Sequence, residues 1–201
     1  METLSALTQR LRETGRISRE SIPDMELYMD QLLGFLNQRL LPHDGRENAA
    51  FTKTMVNNYT KDHLLIPPRN KKYARPHVLL LILIHNLKGI LTISDIKRLF
   101  APILQDISTP DDDLIPLEEI YDAYLDLTDT FLDQFQADFT KNLAFINSRT
   151  EHLEGEDSVR IAQLFLSVLV LLSQANLSKK IAELILEQHF PAPGDPAAPT
   201  G

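Results

Sequence analysis

Lys53-Thr54-Met55-Val56-Asn57-Asn58-Tyr59-Thr60-Lys61, within the longer stretch Thr52 to Leu99, is the run whose reading decides the fold. Wound on a helix at about 100° per residue, it puts Met55, Val56 and Tyr59 on one side and Lys53, Thr54, Asn57 and Lys61 on the other. The first side packs on a core. The second carries ammonium groups that suit phosphate, and amide and hydroxyl groups that hydrogen-bond base edges or phosphate oxygens. The spacing therefore predicts a helix over 52–62 whose outward face has the chemistry to enter a DNA major groove.

The helix cannot continue through Pro67-Pro68, which removes two backbone donors and fixes two φ angles. Arg69-Asn70-Lys71-Lys72-Tyr73-Ala74-Arg75 follows, with four cations in seven residues. It is too basic for a buried strand and is read as a reduced wing, either a tight loop or a minimal β-hairpin beside the phosphate backbone. Pro76 suits the first position of a new helix and Gly89 the position after its end. The unbroken apolar run Val78 to Ile84 between them fits a buried helix or a buried strand by periodicity alone. Length decides for helix, since Pro76 to Lys88 exceeds a typical strand and falls well short of the roughly twenty residues that cross a bilayer. Thr92-Ile93-Ser94-Asp95 then reads as a variant capping box, with Ile93, Ile96 and Leu99-Phe100 facing inward on the next helix.

In this order of parts the stretch resembles the DNA-binding domain of the MerR family of bacterial regulators. That pattern runs from a recognition helix ending in an aromatic, through a Gly-Leu-Leu-x-Pro turn and a basic wing closing on Tyr, to two helices. The matching residues are Tyr59, Leu64-Leu65-Ile66-Pro67, Tyr73 and the run Leu87 to Lys97. The combination Asn57-Asn58-Tyr59, Pro67-Pro68 and Lys71-Lys72-Tyr73 looks still more like an uncharacterised bacterial family of similar size, itself regarded as MerR-like. Three features depart from the MerR pattern. Asn57 stands where an Arg is usual, His63 stands in place of the turn glycine although non-Gly residues at positive φ are uncommon, and the wing is short. The resemblance implies a winged helix-turn-helix and sequence-specific binding of double-stranded DNA by a bacterial transcriptional regulator.

At 201 residues and 43% apolar composition the chain can bury a substantial core as one large or two small domains. It has no cysteine, which excludes disulfides, thiol nucleophiles and thiolate metal sites. The N-terminal fifteen residues contain no long apolar region, so no secretory signal is read and a cytoplasmic location is expected. The formal charge of −8 hides an asymmetry: Arg46 to Arg98 holds ten Lys and Arg against three acids, net +7, which leaves −15 for the remainder. No Gly-rich phosphate loop, Gly-x-Ser-x-Gly, His-Glu-x-x-His or EF-hand pattern occurs. His77 and His85 lie eight residues apart, too far round and along a helix to share a metal unaided. No enzymatic activity, cofactor or metal is expected.

Along the rest of the chain, Leu4, Leu7 and Leu11 predict a short amphipathic helix that stops at Gly15 and packs on a partner or on the body. Ser21-Ile22-Pro23-Asp24 is read as the start of a supporting helix to about Leu41, with Tyr28, Leu32, Phe35, Leu36 and Leu40 inward, ended by Pro42 to Gly45. Ala101 to Asp113 is read as a linker after a last helical turn, and Asp111-Asp112-Asp113 as a solvated loop without calcium-loop spacing. Leu117, Ile120, Tyr124, Leu127, Phe131, Phe135, Phe139, Leu143 and Ile146 predict one long helix over 116–147. Phe131, Phe135 and Phe139 are read as core in preference to an effector pocket. Val159 to Leu172, apolar nearly all round, predicts the central helix of a bundle, and Ser178 caps a last helix. Pro191 to Gly201 is expected to be disordered.

The sequence reading is thus an all-α protein in four parts: an N-terminal arm at 1–20, a MerR-like winged helix-turn-helix with a minimal wing at 21–105, a C-terminal helical bundle at 114–190 that dimerises, senses an effector or both, and a tail at 191–201. Lys53, Thr54, Asn57, Asn58 and Lys61 would enter the groove, with Arg69, Lys71, Lys72 and Arg75 on phosphates. A homodimer is expected, without membrane association. The alternative is a protein-interaction or ligand-sensing module on the same scaffold.

Overall fold

Val78 to Ile84 is buried along its whole length, and it is a helix. In the computed structural model, which describes residues 4–13, 16–40, 51–106 and 116–190, seven α-helices and a two-stranded ribbon are seen among the described residues. The order is α1 (Leu4–Glu13), β1 (Leu27–Tyr28), α2 (Met29–Leu40), α3 (Lys53–Lys61), β2 (Lys72–Tyr73), α4 (Arg75–Leu87), α5 (Ile93–Asp106), α6 (Leu117–Thr150) and α7 (Glu156–His189). Helix α4 is the axis of the core, and α2, β2 and α6 pack on it. A helix apolar on every side must be surrounded, and this one is.

The supporting helix begins at Met29 and not near Ile22, because Leu27 and Tyr28 are taken by a ribbon. They pair antiparallel with Tyr73 and Lys72, in the register Leu27 to Tyr73 and Tyr28 to Lys72. The Tyr28 N–H then donates to Gln31 Oε1 at 2.9 Å, half of a capping box that starts α2 there. Leu32, Leu36 and Leu40 face the core as expected, whereas Tyr28 points outward. Helix α5 has Thr92 at its start, whose Oγ1 accepts from the Asp95 N–H at 3.2 Å and donates to Asp95 Oδ2 at 2.6 Å. It runs on to Asp106 with Pro102 inside it, past the point where the sequence suggested a linker. Ile96 and Phe100 are buried, but Ile93 is exposed.

The core does not stop at α5. Leu117 and Tyr121, in the first turns of α6, belong to the same apolar cluster as Ile17, Leu36 and Leu80. The Tyr121 hydroxyl, fully buried, donates to the Ile17 carbonyl at 2.6 Å, and Asn86 Nδ2 on α4 donates to Tyr124 Oη at 3.3 Å. Three arginines from the N-terminal segment meet three aspartates of α6: Arg12 with Asp133 at 2.5 Å, Arg16 with Asp129 at 2.5 Å and Arg19 with Asp122 at 3.1 Å. Part of the acidic half is therefore neutralised internally, and α1 lies on α6. Thr8 of α1 is buried and Leu7 is exposed, while the side chains of Leu4 and Leu11, and Gly15, lie outside the described residues.

The long helix expected over 116–147 is observed as Leu117–Thr150. Its stripe is covered only in part, since Leu127 and Phe131 point into solvent while Phe139 and Ile146 are buried. Phe131, Phe135 and Phe139 form a ladder with centroid spacings of 6.3 and 5.6 Å. Gly155, at φ +88°, turns the chain into α7, a conformation that a side chain at this position would resist. The two segments read as separate helices about Val159 and Ser178 are one helix of 34 residues, because nothing between them breaks it. It is not the covered centre of a bundle: of its residues only Leu186 is buried. By length and composition α7 is also the one described helix that meets the requirement for crossing a bilayer. The loop from Pro42 to Gly45, the segment with Asp111-Asp112-Asp113 and the tail from Pro191 lie outside the described residues.

Candidate nucleic-acid interface

Four local devices set the attitude of α3. Thr52 caps it, accepting from the Met55 N–H at 3.2 Å. Phe51, just before the cap, is buried together with Val56, the pairing of a hydrophobic staple. Phe51 is further fixed by Asn37 of α2, whose amide donates to the Phe51 carbonyl and accepts from its N–H, both at 2.9 Å. Tyr59 closes edge-on against Phe51, centroids 6.3 Å apart, and is itself buried.

The far end of the helix is reversed by His63 at φ +56°, which lets the N–H groups of Leu64 and Leu65 both reach the Tyr59 carbonyl, at 2.8 and 3.1 Å. A histidine thus occupies the left-handed position that glycine usually holds at a helix end. Leu64 and Leu65 are drawn into the core by this reversal. With the apolar side committed, Lys53, Thr54, Asn57, Asn58 and Lys61 are all exposed.

The basic segment is a two-residue turn. Arg69 and Lys72 exchange backbone hydrogen bonds of 3.1 and 2.9 Å, with Asn70 at φ +50° and Lys71 at φ +64° between them. Positive φ at both central residues is the type I′ geometry that matches strand twist in tight hairpins. This turn leads into β2, whose ladder partner is β1, so the ribbon joins segments 45 residues apart instead of closing on itself.

The cations of this segment divide into two groups. Arg75 binds Asp24 and reaches the Ile22 carbonyl at 3.4 Å, and its Nε is buried without a partner. Lys72 lies 3.8 Å from Glu26 and 5.6 Å from the Tyr28 ring. Both are turned toward the body. Lys53, Lys61, Arg69 and Lys71 are exposed and have no ion pair among the described residues. Of the residues singled out from sequence, the helix set is therefore presented together, and the wing set is reduced to Arg69 and Lys71.

Behind the turn sits His77, which periodicity gave no reason to select. Its Nδ1 accepts from the Ala74 N–H at 3.0 Å, capping α4, and its Nε2 lies 3.4 Å from the Pro67 carbonyl. With Nδ1 accepting, the neutral ring carries its proton on Nε2, toward the Pro67 carbonyl; Nδ1 also lies 3.2 Å from the Ala74 carbonyl. Burial pushes the His77 pKa below the usual histidine value, against the raising effect of its carbonyl contacts and Glu26. His85, its ring tilted against Phe51 with centroids 5.9 Å apart, is lowered too, by burial and then by Lys88. No group of three or more His, Asp or Glu that could hold a metal occurs among the described residues.

The fold and this surface define an all-helical scaffold with a small antiparallel ribbon and one polar helix face exposed. The chain belongs to the family described as a domain of unknown function (DUF1836), whose model matches residues 17–124. Those limits enclose the core from Ile17 to Tyr121, the ribbon and α3. No curated protein and no solved structure matches the chain.

Proposed function

We propose that the protein binds double-stranded DNA through α3 and the turn at 69–72, as a MerR-like transcriptional regulator. The observation that carries this is the complete separation of α3: Val56 and Tyr59 are sealed in the core while Lys53, Thr54, Asn57, Asn58 and Lys61 stand free of the chain's own later helices. In this proposal those five side chains enter the major groove, and Arg69 and Lys71 contact phosphate from the turn. Asn57 and Asn58 supply the paired donor and acceptor that reads adenine. Lys72 and Arg75 hold the ribbon and α4 in place.

Four unpaired cations set a quantitative expectation. Neutralising about four phosphates makes log K fall against log salt with a slope of roughly −3.6 per protomer. A gel shift on sheared genomic DNA at low salt, followed by selection of bound fragments, tests the proposal. Retention that weakens with that slope and enriches particular fragments supports it; no retention at low salt overturns it.

A second reading, docking of an acidic protein segment on the same surface, is favoured by Asp24 and Glu26. Their carboxylates pair with Arg75 at the start of α4 and with Lys72 of the ribbon. Failure to retain DNA, together with salt-sensitive binding of an acidic peptide, is the result that would select it.

A further inference from the structure

Asp122, Asp126, Asp129 and Asp133 follow one another along α6 at intervals of four, three and four. At about 100° per residue they fall within about 60° of one another and form one acidic stripe. Arg12, Arg16 and Arg19 are spaced by four and three in the N-terminal segment, and they meet this stripe at Asp133, Asp129 and Asp122. The aspartate number falls as the arginine number rises, so the segment runs antiparallel to α6. Like charges three or four residues apart on one helix face repel one another, and the arginines relieve that repulsion.

The attachments of this segment differ in kind. Ile17 is buried, and its carbonyl accepts from the buried Tyr121 hydroxyl at 2.6 Å, a bond between neutral groups that salt does not screen. The six side chains of the ion pairs are instead 25–69% exposed. Attraction between exposed charges is screened over about 10 Å at 0.1 M salt and about 3 Å at 1 M. Helix α1 has 10 residues, too few for a stable helix alone in water. Of its described side chains Thr8 is buried, while Leu7 is 43% exposed. Formation of α1 and its docking on α6 are thus a single transition.

We propose that α1 is an electrostatic strap, anchored at Ile17, that closes over the acidic stripe of α6 at low ionic strength and opens with loss of its helix at high ionic strength. Opening bares Asp129 and Asp133 to water and releases Arg12 and Arg16 from them. These four residues lie outside the matched limits 17–124, so the strap is an addition to the family domain, fastened at that domain's first residue. It stands independently of DNA binding and is tested without DNA.

Hydrogen exchange of the full chain, followed by mass spectrometry at neutral pH in sodium chloride of about 0.1 M and about 1 M, reads the strap directly. Protection of α1 should fall about tenfold or more at the higher salt, while protection of α4 stays unchanged. Asp129→Lys should give the same loss at the lower salt, and adding Arg16→Glu should restore the protection by re-forming the pair with its charges exchanged. An α1 unprotected at the lower salt, protection equal at both salts, or a double variant no better protected than Asp129→Lys would overturn the proposal. If Asp129→Lys does not fold, the salt series on the native chain decides.

Discussion

The side-chain amide of Asn37 on α2 and the backbone of Phe51 just before α3 exchange two hydrogen bonds, each 2.9 Å long. The amide stands in for a strand neighbour, satisfying both polar groups of a residue that is 1% exposed. Asn37→Ala leaves a buried N–H and a buried carbonyl without partners, at a cost of about 2 kcal/mol. Asn37→Asp keeps the acceptor and loses the donor, and should fall between. Urea unfolding of the three proteins checks the order. An alanine variant as stable as the native protein would show that water replaces the amide and that α3 is not held in this way.

Tyr121 and Ile17 tie the first turns of α6 to the entry of the family domain. The hydroxyl-to-carbonyl bond of 2.6 Å is buried, and burial pushes the phenol well above its usual pKa, so it stays a donor throughout the accessible pH range. Tyr121→Phe removes the donor and nothing else of size, leaving the Ile17 carbonyl unpaired. A loss of about 1–2 kcal/mol is expected by thermal or urea unfolding, with an unchanged helical spectrum. Arg19→Ala, which loses a half-exposed ion pair with Asp122, should cost no more than about 1 kcal/mol in the same measurement.

His77 and His85 make stability depend on pH in a definite direction. Burial lowers the pKa of both in the folded state, so below the ordinary histidine value the unfolded chain binds more protons than the folded one. Stability from this source is complete above about pH 6.5 and is lost as pH falls from there through the folded-state values. Protonating His77 also removes the acceptor for the Ala74 N–H at the start of α4. Denaturation midpoints at a series of pH values from 7.5 down to 5 should fall, and His77→Gln should flatten the fall. A midpoint independent of pH over that range would remove both histidines from the account.

Much of the architecture was legible because it rests on local rules. The two sides of α3, the cap at Thr92, the entry at Pro76 and the three-and-four spacing of α6 each need only neighbours in sequence. What escaped depends on partners far away or on residues with no visible mark. Two-residue β1 pairs with a strand 45 positions on, so nothing near Leu27 announces it, and a helix start at Ile22 is the natural error. The pairing of Arg75 with Asp24, 51 residues away, is likewise invisible in a run of cations. The polar residues Ser173, Gln174, Asn176 and Ser178 imitate a helix boundary, yet without Gly or Pro they leave α7 continuous. Of the left-handed residues, His63 was marked only by the turn glycine of the resembled pattern, and Lys71 carries no conformational signature, although Asn70 belongs to the type most tolerant of that region.

Lys71 separates stability from binding. At φ +64° a lysine is held where its Cβ crowds the backbone, at a cost of about 1–2 kcal/mol that glycine does not bear. Its exposed ammonium has no ion pair among the described residues, so no ion pair there offsets the strain. Lys71→Gly should therefore raise the unfolding free energy by about 1 kcal/mol. In the proposed DNA complex it should also weaken binding to all sequences alike and make the salt slope shallower by about one. Asn57→Ala, on the groove face of α3, should leave stability within about 0.5 kcal/mol and cost about 1–3 kcal/mol on selected DNA only. Opposite signs for stability and affinity at residue 71 indicate a cation kept in a strained position for a polyanion. If Lys71→Gly stabilises the protein with no change in DNA affinity or salt slope, the turn at 69–72 has no place in the interface.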